Sequence, residues 1–219
     1  MAFRGQFTYG IPVTATNIVD ALPDNAVIPA SVVGSLKGEV LGISLVDLKS
    51  QVGGGSHYIG EHYQGGVIYH LYKDPDGSEH GLIVSIDYQS LFEIWSDGLA
   101  VPATATSTWN GLSNTNAASI QPGATYGAWK LCQDYTYDGY NDWFLPSVDQ
   151  LTLLWDNRFN VNKTLSNIGG IEIYFNDLWS STEYNYQSAF TFSFFDGRAN
   201  ITAFPNKNYQ YHVRAIRQF

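Results

Sequence analysis

The run Gly53-Gly54-Gly55-Ser56 constrains this chain most, because it supplies a flexible joint with almost no side chain to pack. Phosphate-cradling loops are also glycine-rich, but no Lys-Ser or Lys-Thr follows this run, so a joint is the reading that remains. It divides the 219-residue chain unevenly. Residues 1–52 contain neither Trp nor His and read as short extended pieces with turns, such as Val13-Thr14-Ala15-Thr16 and Pro23-Asp24-Asn25. A segment of about fifty residues can hardly bury a core alone. It is expected to be an arm, packed either on its own domain or on a partner or sister copies. Residues 53–56 are then a hinge, and residues 57–219 are long enough for one sizeable core.

Beyond the hinge, strand signals dominate. Gly65-Gly66-Val67-Ile68-Tyr69-His70-Leu71-Tyr72 reads as a strand, Asp74-Pro75-Asp76-Gly77 as a turn, and His80-Gly81-Leu82-Ile83-Val84-Ser85 as the partner strand. Residues 100–123, rich in Ser, Thr, Asn and Ala, read as a long loop, and 124–133 as a helix. A second helix is better marked. Ser147 and Gln150 match a capping box ahead of Leu151, Leu153, Leu154 and Trp155. Residues 189–216 read as a three-stranded meander, with Asp196-Gly197 as one turn and Pro205-Asn206-Lys207-Asn208 as the next. The expected class is α+β: antiparallel strands with two helices and long loops, preceded by an extended N-terminal arm.

Charge and motif content exclude several functions. The net charge is −9 and there is no basic run, so nucleic acid is not an expected partner. Cys132 is the one cysteine, which rules out an intrachain disulfide. Its setting, Ala128-Trp129-Lys130-Leu131-Cys132, suits a buried small hydrophobe better than a reactive thiol. No basic stretch leads into an apolar one at the N-terminus, so neither a signal peptide nor membrane insertion is expected. Nucleophile-elbow, zinc-protease, dinucleotide and Walker motifs are absent, so neither an enzyme nor a cofactor is expected.

His57 and His62 could serve zinc only with added carboxylates or thiolates, and read as ordinary polar histidines. Asp134, Asp138, Asn141 and Asp142 form an oxygen-rich stretch, either loop ligands for calcium or a solvated turn before the second helix. Their spacing fits no EF-hand. Nothing places Asp149 beside Glu183 as a glycosidase pair would require. Asn162-Lys163-Thr164 and Asn200-Ile201-Thr202 match glycosylation acceptors and, without a signal peptide, read as chance matches.

Five ordered motifs are more specific. They are Tyr63-Gln64-Gly65-Gly66-Val67-Ile68-Tyr69; His80-Gly81-Leu82-Ile83; Gly139-Tyr140-Asn141-Asp142-Trp143-Phe144-Leu145-Pro146-Ser147; Trp179-Ser180-Ser181-Thr182-Glu183-Tyr184; and Val213-Arg214-Ala215-Ile216-Arg217. Their order across residues 57–219 resembles the bacterial and phage family named for the C-terminal domain of the Legionella collagen-like adhesin. That resemblance implies a C-type-lectin-like fold, shared with the formylglycine-generating enzyme. The enzyme's catalytic cysteines have no counterpart here. The paired motifs of calcium-dependent sugar sites are reduced to Asn141-Asp142-Trp143, in a different order.

The C-terminal stretch is also similar to the variable regions of receptor-binding proteins diversified by retroelements. The resemblance implies that Trp179 to Glu183 are framework. Small hydroxyls and a carboxylate after a Trp can satisfy buried backbone groups. Arg214 and Arg217 are expected to pair with Glu183 or Asp142. Phe190, Phe192 and Phe194 fall on one strand face, and Thr191, Ser193 and Phe195 on the other; Ala199, Ile201 and Ala203 alternate with Arg198, Asn200 and Thr202. Such alternation suits a recognition face or any half-buried sheet equally.

With 15 Tyr, 12 Phe and 6 Trp, the chain is rich in contact residues. The expected ligand-binding set is Asn185, Tyr186, Gln187, Ser188, Thr191, Ser193, Arg198, Asn200, Thr202, Asn208, Tyr209 and Tyr211. Truncating Tyr186, Tyr209 or Tyr211 should weaken binding without unfolding the domain. The expected role is non-enzymatic attachment of a bacterial virus, at the virion surface, to host cell-surface glycan or protein. Residues 1–52 would contact other virion proteins, and the chain would form a homo-oligomer such as a trimer. A bacterial cell-surface adhesin and a purely structural decoration protein are the alternatives.

Overall fold

The computed structural model describes residues 56–98, 103–200 and 206–219. The arm over 1–52, the hinge glycines, Ile201, Thr202, Ala203 and Pro205 lie outside them. Residues His57–Phe219 form one compact α+β unit. In chain order its strands are β1 His62–Tyr63, β2 Gly66–Lys73, β3 Glu79–Ser85, β4 Ser90–Glu93, β5 Asp177–Glu183, β6 Ala189–Ser193, β7 Arg198–Asn200, β8 Tyr211–Val213 and β9 Ile216–Gln218. The helices are α1 Gly111–Ser119, α2 Ala128–Asp134, α3 Val148–Asp156 and α4 Arg158–Ile168.

The expected β2–β3 hairpin forms. Gly77 takes φ 89° at its turn, and the Asp76 carboxylate accepts the Ser78 amide at 2.9 Å. One sheet runs β1-β2-β3-β9 and is antiparallel throughout. Period-two geometry sends successive side chains of β2 and β3 into different cores. Val67, Tyr69, Leu82 and Val84 join α3, α4, Phe192 and Phe194 in one cluster. Ile68 and Ile83 join Trp95, Trp129, Trp143 and Trp179 in the other. The sheet is thus covered on both faces, which explains why its strands are more apolar than alternating.

Tyr69 is wholly buried, and its hydroxyl has no hydrogen-bond partner among the described residues. Burial pushes its phenol well above the ordinary value. Tyr69→Phe is therefore expected to leave stability unchanged or raise it by up to about 1 kcal/mol in urea unfolding. A clear loss would show that the hydroxyl is satisfied.

The capping box at α3 is present. Ser147 Oγ accepts the Gln150 amide, and Gln150 Oε1 accepts the Ser147 amide at 2.9 Å. The same Oε1 accepts the Gly111 amide at 3.1 Å, so one side chain fixes the starts of two helices.

Among the described residues there are four helices where two were expected. Helix α1 lies inside the stretch read as a long loop. Its buried face is Gly111, Asn114, Thr115 and Ala118, so it shows no apolar period. Hydrogen bonds compensate: Asn114 Nδ2 donates to Ser107 O at 2.6 Å, and Thr115 Oγ1 accepts the Leu145 amide at 3.1 Å. Helix α4, unforeseen, follows α3 directly through Asn157, which caps both. Helix α2 starts later than expected, after Gly127 at φ 142°, where a Cβ would meet Trp95 O at 2.4 Å.

The expected meander is broken up. Strands β6 and β7 do pair through the Asp196-Gly197 turn, with Gly197 at φ 74°. The second sheet, however, runs β4-β8-β5-β6-β7, so β8 lies across β5 from β6, parallel to β5 at Leu178 and His212. Strand β9 belongs to the first sheet. The chain changes sheets at Arg214 and Ala215, where the Ser85 amide donates to Ala215 O at 3.0 Å. Among the described residues, no helix is long and apolar enough to cross a membrane.

Candidate binding surface

Two of the expected recognition segments, distant in sequence, meet in space. Residues 184–188 close the turn between β5 and β6. Asn185 Oδ1 accepts the amides of Gln187 and Ser188 at 2.8 and 2.9 Å. Residues 206–209 form a similar turn, where Asn206 Oδ1 accepts the Asn208 amide at 3.0 Å. Ser188 bridges Asn206, and the Lys207 amide donates to Gln187 O at 3.0 Å. The joined turns form a ridge that exposes Tyr184, Tyr186, Gln187, Asn208 and Tyr209 and half-buries Asn185.

A buried polar hub holds the ridge from below. Glu183 and Lys207, both with fully buried side chains, form an ion pair through Oε1. Glu183 Oε2 accepts the Thr104 and Ala105 amides, each at 2.7 Å, and Oε1 accepts Gln121 Nε2 at 3.0 Å. Lys207 Nζ sits 4.4 Å from the Trp95 ring centroid. Burial pulls the Lys207 ammonium down, and Glu183 pushes it back up. The framework role expected for Trp179 to Glu183 is visible in atoms. Thr182 Oγ1 accepts the Val148 amide and donates to Ser107 O, while Trp179 Nε1 donates to Glu93 O.

The arginine pairing is corrected in part. Arg217 does hold Asp142, through Nε at 2.7 Å and Nη2 at 2.8 Å. Hydrogen bonds from Arg217 keep the Asp142 carboxyl below its ordinary value, against the opposing effect of burial. Arg214 instead donates to the carbonyls of Ser85, Ile86 and Ile171, and Glu183 takes Lys207.

Other expected contact residues do not reach the ridge. Thr191, Ser193 and Ser188 are buried, because β6 is an interior strand with Phe192 in one core and Ala189 in the other. Tyr211 is half-buried, its ring edge-on to Trp179 at 4.8 Å, so its truncation would not be structurally neutral. Asn200 is half-buried opposite Thr191. Arg198 is exposed, but it lies opposite Ser193, toward the β6–β7 turn and away from the ridge. Ala199 is exposed, as Arg198 is, so the two do not divide into a buried and an open face.

The calcium candidates find other partners. Lys130 holds Asp134 at 2.7 Å, and Arg217 holds Asp142. Asp138 and Asn141 are exposed. Among the described residues no cluster of three or more His, Cys, Asp or Glu could hold a metal. His57 packs between Tyr63 and Phe219 and contacts Glu61. Glu183 is sealed in its hub while Asp149 is exposed on α3, so they form no working carboxylate pair. Cys132 is buried, and burial pushes its thiol up. Asn162 spends its amide on both backbone groups of Ile173, at 3.0 and 2.8 Å.

Two surface features escaped the sequence reading. Phe159, Phe175 and Phe195 are 79%, 72% and 71% exposed beside Trp155, over which Arg158 stacks at 3.5 Å. Trp109 stands exposed before α1. For Trp109 and Phe159 the available signal was a large aromatic between polar neighbours; Phe175 and Phe195 each follow another aromatic and carried no such signal. No protein-family model matches the sequence, and no curated protein matches it.

Proposed function

We propose that residues 57–219 are a C-type-lectin-like binding domain of a bacterial-virus surface protein, which attaches reversibly and without catalysis to host cell-surface glycan or protein. The observation that carries this reading is the ridge. Two Asn- and Tyr-bearing turns, 184–188 and 206–209, are zipped together over a buried Glu183–Lys207 pair. Rigid aromatic and amide side chains on a braced scaffold bind with little ordering cost. The α+β class is the one the motif resemblance implies, and the strand pairs of the described unit are antiparallel apart from β5 with β8.

In this reading residues 1–52 attach the domain to other virion proteins. A homo-oligomer, such as a trimer, multiplies weak single sites into avidity. The exposed Phe159, Phe175 and Phe195 offer an apolar surface of the kind buried between copies. No cofactor enters the proposal.

The test is saturable binding of the labelled full chain to a panel of bacterial strains, with and without calcium chelator. Tyr186→Ala with Tyr209→Ala is expected to weaken binding at least about ten-fold and to move Tm by less than about 2 °C. Binding that the double variant leaves unchanged would remove the ridge from the contact. A folded chain that binds no strain would favour the decoration-protein alternative.

A further inference from the structure

Trp109 is 70% exposed on the loop into α1, although an indole gains much by burial. It borders a hollow of about 450 Å³ that is also lined by His70, Tyr72, Asp149 and Gln218, with Leu82 and Leu153 adding apolar surface. The walls are fixed. The Asp149 amide donates to Thr108 O at 2.9 Å, which ties the carboxylate's backbone to the residue before Trp109. Tyr72 contacts His70 and His80, at ring-centroid distances of 6.1 and 5.4 Å. A second hollow, of about 530 Å³, shares Leu112 and Gln218 with the first and carries the amides of Asn116, Gln133 and Asn141. The two adjoin at these residues, and the groove is this adjoining pair of hollows.

Aromatic faces beside carboxylate and amide groups match one ligand chemistry closely. A sugar ring presents an apolar C–H face for stacking and a rim of hydroxyls that both donate and accept. Charge narrows the class. No described residue lining either hollow is Lys or Arg, whereas Asp142 and Asp149 both line the groove. Burial lowers the pKa of His70, which disfavours the charged form of its ring. Asp142 is already engaged by Arg217, so the Asp149 carboxylate sets the charge of the groove, and phosphate, sulfate or carboxylate on a ligand would find no lining Lys or Arg to pair with.

We propose that the groove from Trp109 to Asn141 binds a neutral oligosaccharide, with one sugar stacked on Trp109 and the next residues of the chain along the amides. This goes beyond the ridge reading and does not depend on it.

The full chain would be titrated with glucose, maltotetraose, N-acetylglucosamine and chitotetraose, and with a heparin tetrasaccharide as the anionic control, following tryptophan emission. One neutral tetrasaccharide is expected to bind with Kd below about 1 mM, at least about ten-fold tighter than its monosaccharide. The heparin fragment should not bind. Trp109→Ala should weaken binding at least about ten-fold, Trp109→Phe should recover part of it, and Asp149→Asn should weaken it further from the wild-type value. Tyr186→Ala and Tyr209→Ala should leave the titration unchanged, which keeps failure here distinct from failure of the ridge. The proposal is overturned if neither tetrasaccharide binds, if Trp109→Ala binds as wild type does, or if the heparin fragment binds more tightly. Equal affinity for monosaccharide and tetrasaccharide would overturn the extended groove.

Discussion

Glu183→Ala is expected to destabilise the domain by about 3–5 kcal/mol, because it strands a buried ammonium and leaves two backbone amides, one of them buried, without their acceptor. The ammonium belongs to Lys207, and the amides to Thr104 and Ala105. For a unit of this size the loss corresponds to a fall in Tm of about 10 °C. Lys207→Met should cost less, about 2 kcal/mol, because the Glu183 carboxylate keeps several neutral donors. Those donors are the Thr104 and Ala105 amides and Gln121 Nε2. Urea unfolding of both variants checks the order. The reverse order, or losses under about 1 kcal/mol, would mean that water reaches the pair. Both variants should also loosen the ridge, since Glu183 ends β5 just before turn 184–188 and Lys207 sits within turn 206–209.

Arg214→Ala is the second large effect, expected at about 4–6 kcal/mol from several orphaned carbonyls and a cavity. Nη1 donates to Ile171 O at 2.6 Å, and Nη2 to Ser85 O at 2.6 Å and Ile86 O at 2.8 Å. The guanidinium also lies 4.8 Å from the Tyr88 ring centroid. Burial pulls its pKa down to about 10, with Tyr88 and the Asp87 carboxylate opposing, so it remains charged at neutral pH. Arg214→Lys tests whether charge or fork geometry matters. An ammonium cannot span three carbonyls held by one planar group, so lysine should recover only about half of the loss. Unfolding free energies of the two variants decide this. A lysine variant as stable as wild type would show that the positive charge alone holds the strand crossing.

Much of the fold was legible where the information lies within a few residues. The Ser147–Gln150 cap, the turn at Asp76-Gly77 and the Asp196-Gly197 hairpin follow from side-chain chemistry and backbone preference at single positions. The buried Cys132 was legible for the same reason, whereas the framework run Trp179 to Glu183 was expected from the motif resemblance. Helix α1 was not, because its buried face is Gly, Asn, Thr and Ala and is held by hydrogen bonds rather than by an apolar stripe. Of the expected contact residues, Asn185, Tyr186, Gln187, Asn208 and Tyr209 do lie along one ridge, and Thr191 and Ser193 do not. Alternation along a strand tells that it has two faces, not that both are covered.

The sequence by itself determined the α+β class, the main hairpins, the capped helix α3 and the content of the ridge turns. Only the tertiary structure decided that β8 lies against β5, that Lys207 is buried on Glu183 and that Arg214 serves carbonyls. Caps, turns and periodicity act between neighbours in the chain, so their energies are written locally. Strand order and charge pairing depend on groups far apart in sequence, such as Lys207 and Glu183 at a separation of 24 residues and Arg214 and Ser85 at 129. Their partners are chosen by which desolvated group finds a match when the whole core closes, and no short stretch of residues encodes that choice.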